Sequence, residues 1–459
     1  MPPSQDDAER SDEFDPRQSG DLAQGPGETA FDAPSVPTTH PIGFWFFFWG
    51  ELAERCSYYG MRAALLTYMT DRLLFTKPNA NSAMHEFMAA CYLLPLLGGW
   101  IADKYFGKYW TIVGFSIPYI LGHVILGVES VPFLVAALSL LAMGAGVIKP
   151  NISTLMGMTY DQQRPGQDKL RSDAFAMYYG AINVGAAIST FAVPWIAEEY
   201  NYQLAFLFPA GLMVVAFFIF AMGKKYYAEE RISQHKKTPE ERSVQWTVLA
   251  KIAGVFALVT FYWSVQDQSA STWTFFARDY LNLELFGWKL KPGMIQGANP
   301  VLIVLLLPLV TWFWHFLDHR GIKLRPTDKM MIGFILATVT MGMMTAAGYL
   351  AAGSTKISVL WEIAAYVVVT IAETCISVVG LELAFTAAPA QMKGFVTGVW
   401  WLTVFAGDLI AAPIARYYDE ELSPGSYFAL WTFVMLAVTI IFVPVARRFN
   451  RSVDRQEVA

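Results

Sequence analysis

The chain has 459 residues, of which 55% are hydrophobic and only 15% charged. A soluble domain carries about 25% charged residues, so this composition argues against a soluble enzyme or a disordered chain. The net charge of −5 offers no basic surface for nucleic acid. The long unbroken apolar runs argue against a β-barrel.

Residues 1–40 are rich in Asp, Glu, Pro, Gly and Ser, with no apolar core before Phe44. They read as a disordered cytoplasmic tail rather than a signal peptide. Twelve apolar segments follow, over 42–71, 83–103, 108–128, 131–156, 173–197 and 203–223, then 246–278, 297–318, 328–351, 357–385, 392–417 and 425–446. Each is long enough to cross a bilayer as a helix. The longest charged connection, 224–245, splits them six and six. The expected domains are an N-terminal half over 41–223, a cytoplasmic linker over 224–245, a C-terminal half over 246–447 and a tail over 448–459.

Lys and Arg set the orientation. With both termini in the cytoplasm, the inner connections hold roughly twenty basic residues and the outer ones about seven. Cys56, Cys91 and Cys375 all lie inside apolar segments and fit neither a disulfide framework nor a metal site. No enzyme signature stands on a suitable helix. Two six-helix halves around a basic loop resemble the plan of the major facilitator superfamily. The turn carrying Gly99, Asp103, Lys104, Gly107 and Lys108 resembles that superfamily's G-x-x-x-D-[RK]-x-x-G-[RK] motif.

The informative residues are charges inside apolar helices, where each costs about 2.5–3.5 kcal/mol on insertion scales. The first helix places Glu51, Glu54, Arg55, Tyr58, Tyr59 and Arg62 on one stripe. That stripe lines an aqueous cavity or forms an internal salt-bridge stitch. Lys149 in the fourth helix either exposes its ammonium at a kink near Gly144, Gly146 and Pro150 or snorkels to the cytoplasmic face. Lys251 and Asp267 lie in the seventh segment, Glu373 and Ser377 in the tenth, and Trp400, Trp401 and Asp408 in the eleventh. The two tryptophans serve packing or ligand contact. His85, near the start of the second helix, is an outer-surface residue or a functional one.

At these residues the sequence resembles the proton-dependent oligopeptide transporters (the POT or PTR family). Glu51-Leu-Ala-Glu54-Arg55-Cys-Ser-Tyr-Tyr-Gly60 is similar to the family's E-x-x-E-R-F-x-Y-Y-G signature, with Cys56 where Phe is usual. Gly144-Ala-Gly-Val-Ile-Lys149-Pro is similar to G-x-G-x-I-K-P, and Tyr178-Tyr-Gly-Ala-Ile-Asn183-Val-Gly to F-Y-x-x-I-N-x-G. The stretches around His85, Asp267, Glu373 and Trp400 look closest to the animal branch.

The resemblance implies proton-coupled import of di- and tripeptides by alternating access. It implies no cofactor beyond the proton, no metal, and residence in a cell inner (plasma) membrane, which we expect to be bacterial. Arg62, Tyr59, Tyr92, Lys149, Asn183, Trp263, Gln296, Asn299, Glu373, Ser377 and Trp400 are the expected substrate residues. Glu51, Glu54, Arg55, His85 and Asp267 are the expected proton-coupling residues. Lys149, Lys251 and Asp408 are the expected gating residues. There are departures from the family pattern. Thr311 stands where the acid that would pair with Lys251 is expected, and Asp408 replaces a usual Asn. The alternative is a same-fold transporter of another small solute, such as nitrate, a drug or an amino-acid conjugate.

Overall fold

The computed structural model describes residues 38–230, 239–353, 355–386 and 393–457. Nearly all of the expected tail over 1–40, and residues 231–238 of the expected linker, lie outside these.

Helices dominate, because a chain in hydrocarbon must satisfy its backbone internally. The N-terminal half is α1 (Ile42–Asp71), α2 (Lys77–Ile101), α3 (Gly107–Leu126), α4 (Val131–Gln163), α5 (Asp168–Glu199) and α6 (Tyr202–Met222). The C-terminal half is α7 (Pro239–Gln266), α8 (Thr272–Tyr280), α9 (Ala298–His319), α10 (Pro326–Leu350), α11 (Leu360–Glu373), α12 (Val379–Thr386), α13 (Lys393–Ala415) and α14 (Pro424–Glu457). Each expected segment overlaps one of these helices or a broken pair.

Local chemistry sets several boundaries. Thr76 accepts a hydrogen bond from the Asn79 amide ahead of Pro78, and Asn201 does the same for Leu204, so polar caps open α2 and α6. Among the described residues, ten helical stretches are long and apolar enough to cross a membrane, and one of them contains both α2 and α3. α1 is not among the ten, because its charged stripe dilutes it.

Two segments are broken where they carry acids. A tight turn, Asp267–Ala270, separates α7 from α8, and a π turn, Thr374–Val378, follows Glu373 between α11 and α12. Such breaks free backbone groups and commonly mark functional positions.

Other boundaries differ from expectation. α7 begins at Pro239, inside the expected linker 224–245. Residues 224–230 pack on the N-terminal half instead of bridging freely. Tyr226 and Tyr227 stack on Phe46 and Phe47, and the Glu230 carboxylate accepts from the amides of Lys108 and Tyr109 at the start of α3. α14 runs through the expected tail 448–459 as far as Glu457. Hydrophobicity marks where the membrane ends, not where the helix does. Beyond the last apolar turn, Asn450 still bonds Thr327 of α10 at 2.9 Å.

Within the halves, α1 packs on α5 and α6, α2 on α4, and α10 on α14. A Cβ on Gly98 would stand 2.6 Å from the Val147 Cα, so glycine permits the close α2–α4 crossing. The halves meet mainly along α2 and α13 and where the Pro292–Gly297 turn abuts α5.

Ion pairs clasp the halves at the end that carries the α1–α2 loop. Lys77 reaches Asp419 at 2.5 Å and Asp279 at 2.9 Å. Lys291 reaches Glu198 at 2.7 Å, Arg278 reaches Asp71 at 3.6 Å and Arg416 reaches Glu86 at 3.5 Å. Among the described residues, no ion pair joins the halves at the opposite end.

Gly293 belongs to this closure, since a Cβ there would stand 2.2 Å from the Ala63 carbonyl oxygen across the interface. Gly293→Val should therefore hold this end open. Spin labels on the exposed residues Asn79 and Glu420 should then report a longer separation in double electron–electron resonance. An unchanged distance would count against Gly293 as a closure contact.

Candidate functional site

Three polar clusters occupy the interior. The first belongs to α1 and α4. The Arg55 Nε lies 2.7 Å from Glu51 Oε1 and 2.8 Å from Glu54 Oε2, and all three side chains are buried. Tyr178 and Tyr119 stand beside the two acids. Glu51 and Arg55 are four residues apart, so helical geometry brings them together. Burial strengthens the pairing and makes a lost partner expensive.

Arg62, two turns beyond, sits with its guanidinium 4.8 Å from the centre of the Tyr59 ring. Lys149 points into the protein and does not snorkel. Its ammonium lies 5.1 Å from the Tyr92 ring and 4.7 Å from the Trp401 ring, which stack at 5.7 Å. Aromatic faces attract a cation without neutralising it. Arg55, Tyr58, Cys91, Tyr92, Ala145 and Lys149 line a small cavity here. The stripe is thus both a stitch and a cavity wall.

The second cluster belongs to the C-terminal half. Glu373 accepts from the Asn299 amide at 2.8 Å and the Gln266 amide at 3.0 Å. Asn299 also reaches Thr370, and Tyr262 donates to Gln266. Among the described residues, no cation pairs with Glu373. Two neutral amides orient this acid and leave its charge available.

The third cluster crosses between the halves. His85 Nδ1 lies 2.8 Å from Asp408 Oδ1, and its Nε2 lies 2.8 Å from the Ser271 hydroxyl. His85, Asp408 and Ser271 are all fully buried. His85 is therefore not an outer-surface residue. Asp267 lies in the turn just before Ser271, with one carboxylate oxygen buried and without a hydrogen-bond partner.

Not every expected residue joins these clusters. Trp400 is a core residue, packed on Phe256 and Trp263 and against Gly380. The ring that meets Lys149 is Trp401. Gln296 spends its amide on Thr274 and the Ala270 carbonyl, and Asn183 bonds the Tyr179 carbonyl of its own helix. Ser377 lies in the π turn with a buried, unpartnered hydroxyl. Lys251 forms no ion pair among the described residues, and Thr311 bonds back to Leu307 in its own helix. Gln266, Thr370 and Ser271 were not singled out from sequence. Small neutral polar residues carry little signal there, although Gln266 sits next to Asp267. The three cysteines are buried and unpaired.

Comparison with known proteins agrees with this geometry. The sequence profile of the POT family matches residues 109–250 and 232–430. The uncharacterized transporter YclF of Bacillus subtilis (strain 168) is 26% identical, over 90% of this chain and 96% of its own. Human solute carrier family 15 member 2 is 30% identical, over 67% of this chain and 49% of its own. This chain spans about half the length of the solute carrier relatives it matches. Among solved structures, a peptide transporter POT in complex with alafosfalin superposes with a TM-score of 0.81 at 25% identity, covering 90% of this chain and 96% of the other. The POT family transporter PepTSo superposes with a TM-score of 0.80 at 26% identity, covering 90% and 99%. The fold is that of the major facilitator transporters, and this chain belongs to the POT family.

Proposed function

We propose that this integral membrane protein is a proton-coupled symporter that imports di- and tripeptides across a bacterial inner membrane by alternating access. One observation carries the reading. Among the described residues, two cations that form no ion pair, Arg62 and Lys149, belong to one half, and an acid that pairs with no cation, Glu373, belongs to the other. A peptide zwitterion complements that separation. Its ammonium pairs with Glu373, and its carboxylate draws Lys149 off the aromatic rings or pairs with Arg62. Charge-assisted bonds of this kind are the strong ones. A ligand that spans both halves favours the closed arrangement, so it has the differential affinity that drives the change.

The coupling follows from charge balance. Two acids, Glu51 and Glu54, face two bases, Arg55 and Lys149. A proton on one acid leaves Arg55 paired with the other, so no ion is stranded, and the excess positive charge is offset by the peptide carboxylate. Proton and peptide then bind together more favourably than either alone. His85, Asp408 and Asp267 sit towards the clasped end. With both termini in the cytoplasm that end is the outer one, and this position supports assigning these groups to the entry path for protons. Lys251 forms no ion pair among the described residues in this closed-outside arrangement, and we assign it to the inner gate. The reading requires only protons, peptide and the lipid bilayer, and no metal or organic cofactor.

The test is uptake of labelled dialanine into proteoliposomes, with an inward proton gradient and a negative interior. Glu373→Gln keeps the amide contacts but loses the charge. A hydrogen bond to a charged group contributes about 1.5–3 kcal/mol, so uptake at low peptide concentration should fall by about tenfold or more. Wild type that folds yet accumulates no peptide would sink the reading. Unchanged uptake by Glu373→Gln would remove Glu373 from the ammonium site.

A further inference from the structure

We propose that two apolar loop tips, one on each half, anchor the clasped end of the protein in the membrane–water interface. One is Leu74, in the α1–α2 loop. The other is the hairpin that joins α8 to the Pro292–Gly297 turn.

Three observations converge. First, the hairpin is amphipathic. Its strands, β2 (Glu284–Leu285) and β3 (Trp288–Lys289), pair antiparallel with Leu285 opposite Trp288 and Glu284 opposite Lys289. Directly opposed residues share a face, so one face is apolar and the other charged. Second, the tips are the most exposed large apolar side chains at this end. Phe286 is 94% exposed, Leu74 83% and Trp288 78%. Third, Phe286 and Leu74 both hold positive φ, 51° and 56°. That conformation favours Gly or Asn and is costly for a bulky residue. Both loops therefore keep a large apolar group where a small or polar one suits the backbone better.

The occupant is the headgroup and acyl boundary of a bilayer. Both loops continue directly from membrane-spanning helices, and aromatic side chains concentrate at that level. The exposed pair Trp195 and Tyr200, on and just beyond α5, extends the same belt. The hairpin base is fixed by parallel pairing of β1 (Leu281–Asn282) with β4 (Ile357–Ser358) and by the Lys291–Glu198 ion pair. The tips are thus presented on a rigid frame. This inference is independent of the transported solute.

The test uses single nitroxide labels on L74C, F286C, W288C and K289C in proteoliposomes. The native cysteines are buried, and the unsubstituted protein gives their background labelling. Collisions with dissolved oxygen should dominate at 74, 286 and 288. Collisions with a water-soluble nickel chelate should dominate at 289, a reversal across one residue. An aqueous reading at 74, 286 or 288 would overturn the proposal. So would protection from both reagents together with an intermolecular disulfide of F286C, which would assign the face to a second copy of the chain.

Discussion

Replacing Glu54 with Gln should abolish proton-driven accumulation of peptide while leaving peptide exchange across the membrane intact. Arg55 holds Glu51 and Glu54 at nearly equal distances, 2.7 and 2.8 Å. Glu54→Gln keeps the shape and leaves Arg55 paired with Glu51. What it removes is the second acid, and with it a proton site whose occupation need not strand the guanidinium. Exchange of labelled for unlabelled dialanine requires binding and reorientation but no net proton movement. We therefore expect gradient-driven uptake to fall to the empty-liposome background and exchange to continue at a comparable rate. Glu51→Gln should behave alike.

Removing both acids is a different experiment. It leaves Arg55 buried without a partner, which costs about 3–5 kcal/mol, so the double variant should melt at a lower temperature. Loss of exchange in the folded single variant would show that these acids serve more than coupling.

The fold was largely legible because spanning a bilayer imposes a length and a composition that few other constraints produce. All twelve expected segments coincide with helical stretches. The charged stripe on α1 was legible for the same reason, since five polar neighbours of Arg62 on one face have no place in lipid. What the sequence could not supply was partnership across helices. Asp408 and His85 are 323 residues apart, and nothing local to either predicts the other. Trp400 and Trp401 show the finest limit. One residue turns a helix by about 100°, which separates a core ring from one lying over Lys149. Expectation favoured the former, and the structure places the latter at the cation. The strap at 224–230 was missed because its polar composition reads as solvated loop. It is held by Glu230 capping backbone amides and by Tyr226 and Tyr227 stacking on Phe46 and Phe47, and two tyrosines among charged residues leave no apolar run to read.

The clasp at the α1–α2 end should depend far more on its buried pair than on its exposed ones. Arg416 and Glu86 are more than half exposed, and such pairs contribute about 0–1 kcal/mol. Arg416→Ala should barely alter the balance between closed and open. His85 and Asp408 are fully buried, and His85, from one half, ties to Asp408 and to its other partner, Ser271, which both belong to the opposite half. Asp408→Ala leaves the His85 ring nitrogen buried without its partner, a penalty of about 1–3 kcal/mol. Opening lets water satisfy that nitrogen, so the penalty falls on the closed state alone. The population should then shift towards the open state by about 5- to 150-fold. Labels at Asn79 and Glu420 would report this as growth of the long-distance component in double electron–electron resonance. Asp408→Asn, which keeps a hydrogen-bond acceptor for His85, should restore most of the closed population. If Asp408→Ala and Arg416→Ala shift the distribution equally, the buried pair is not the principal latch, and closure rests on the apolar contact of α2 with α13.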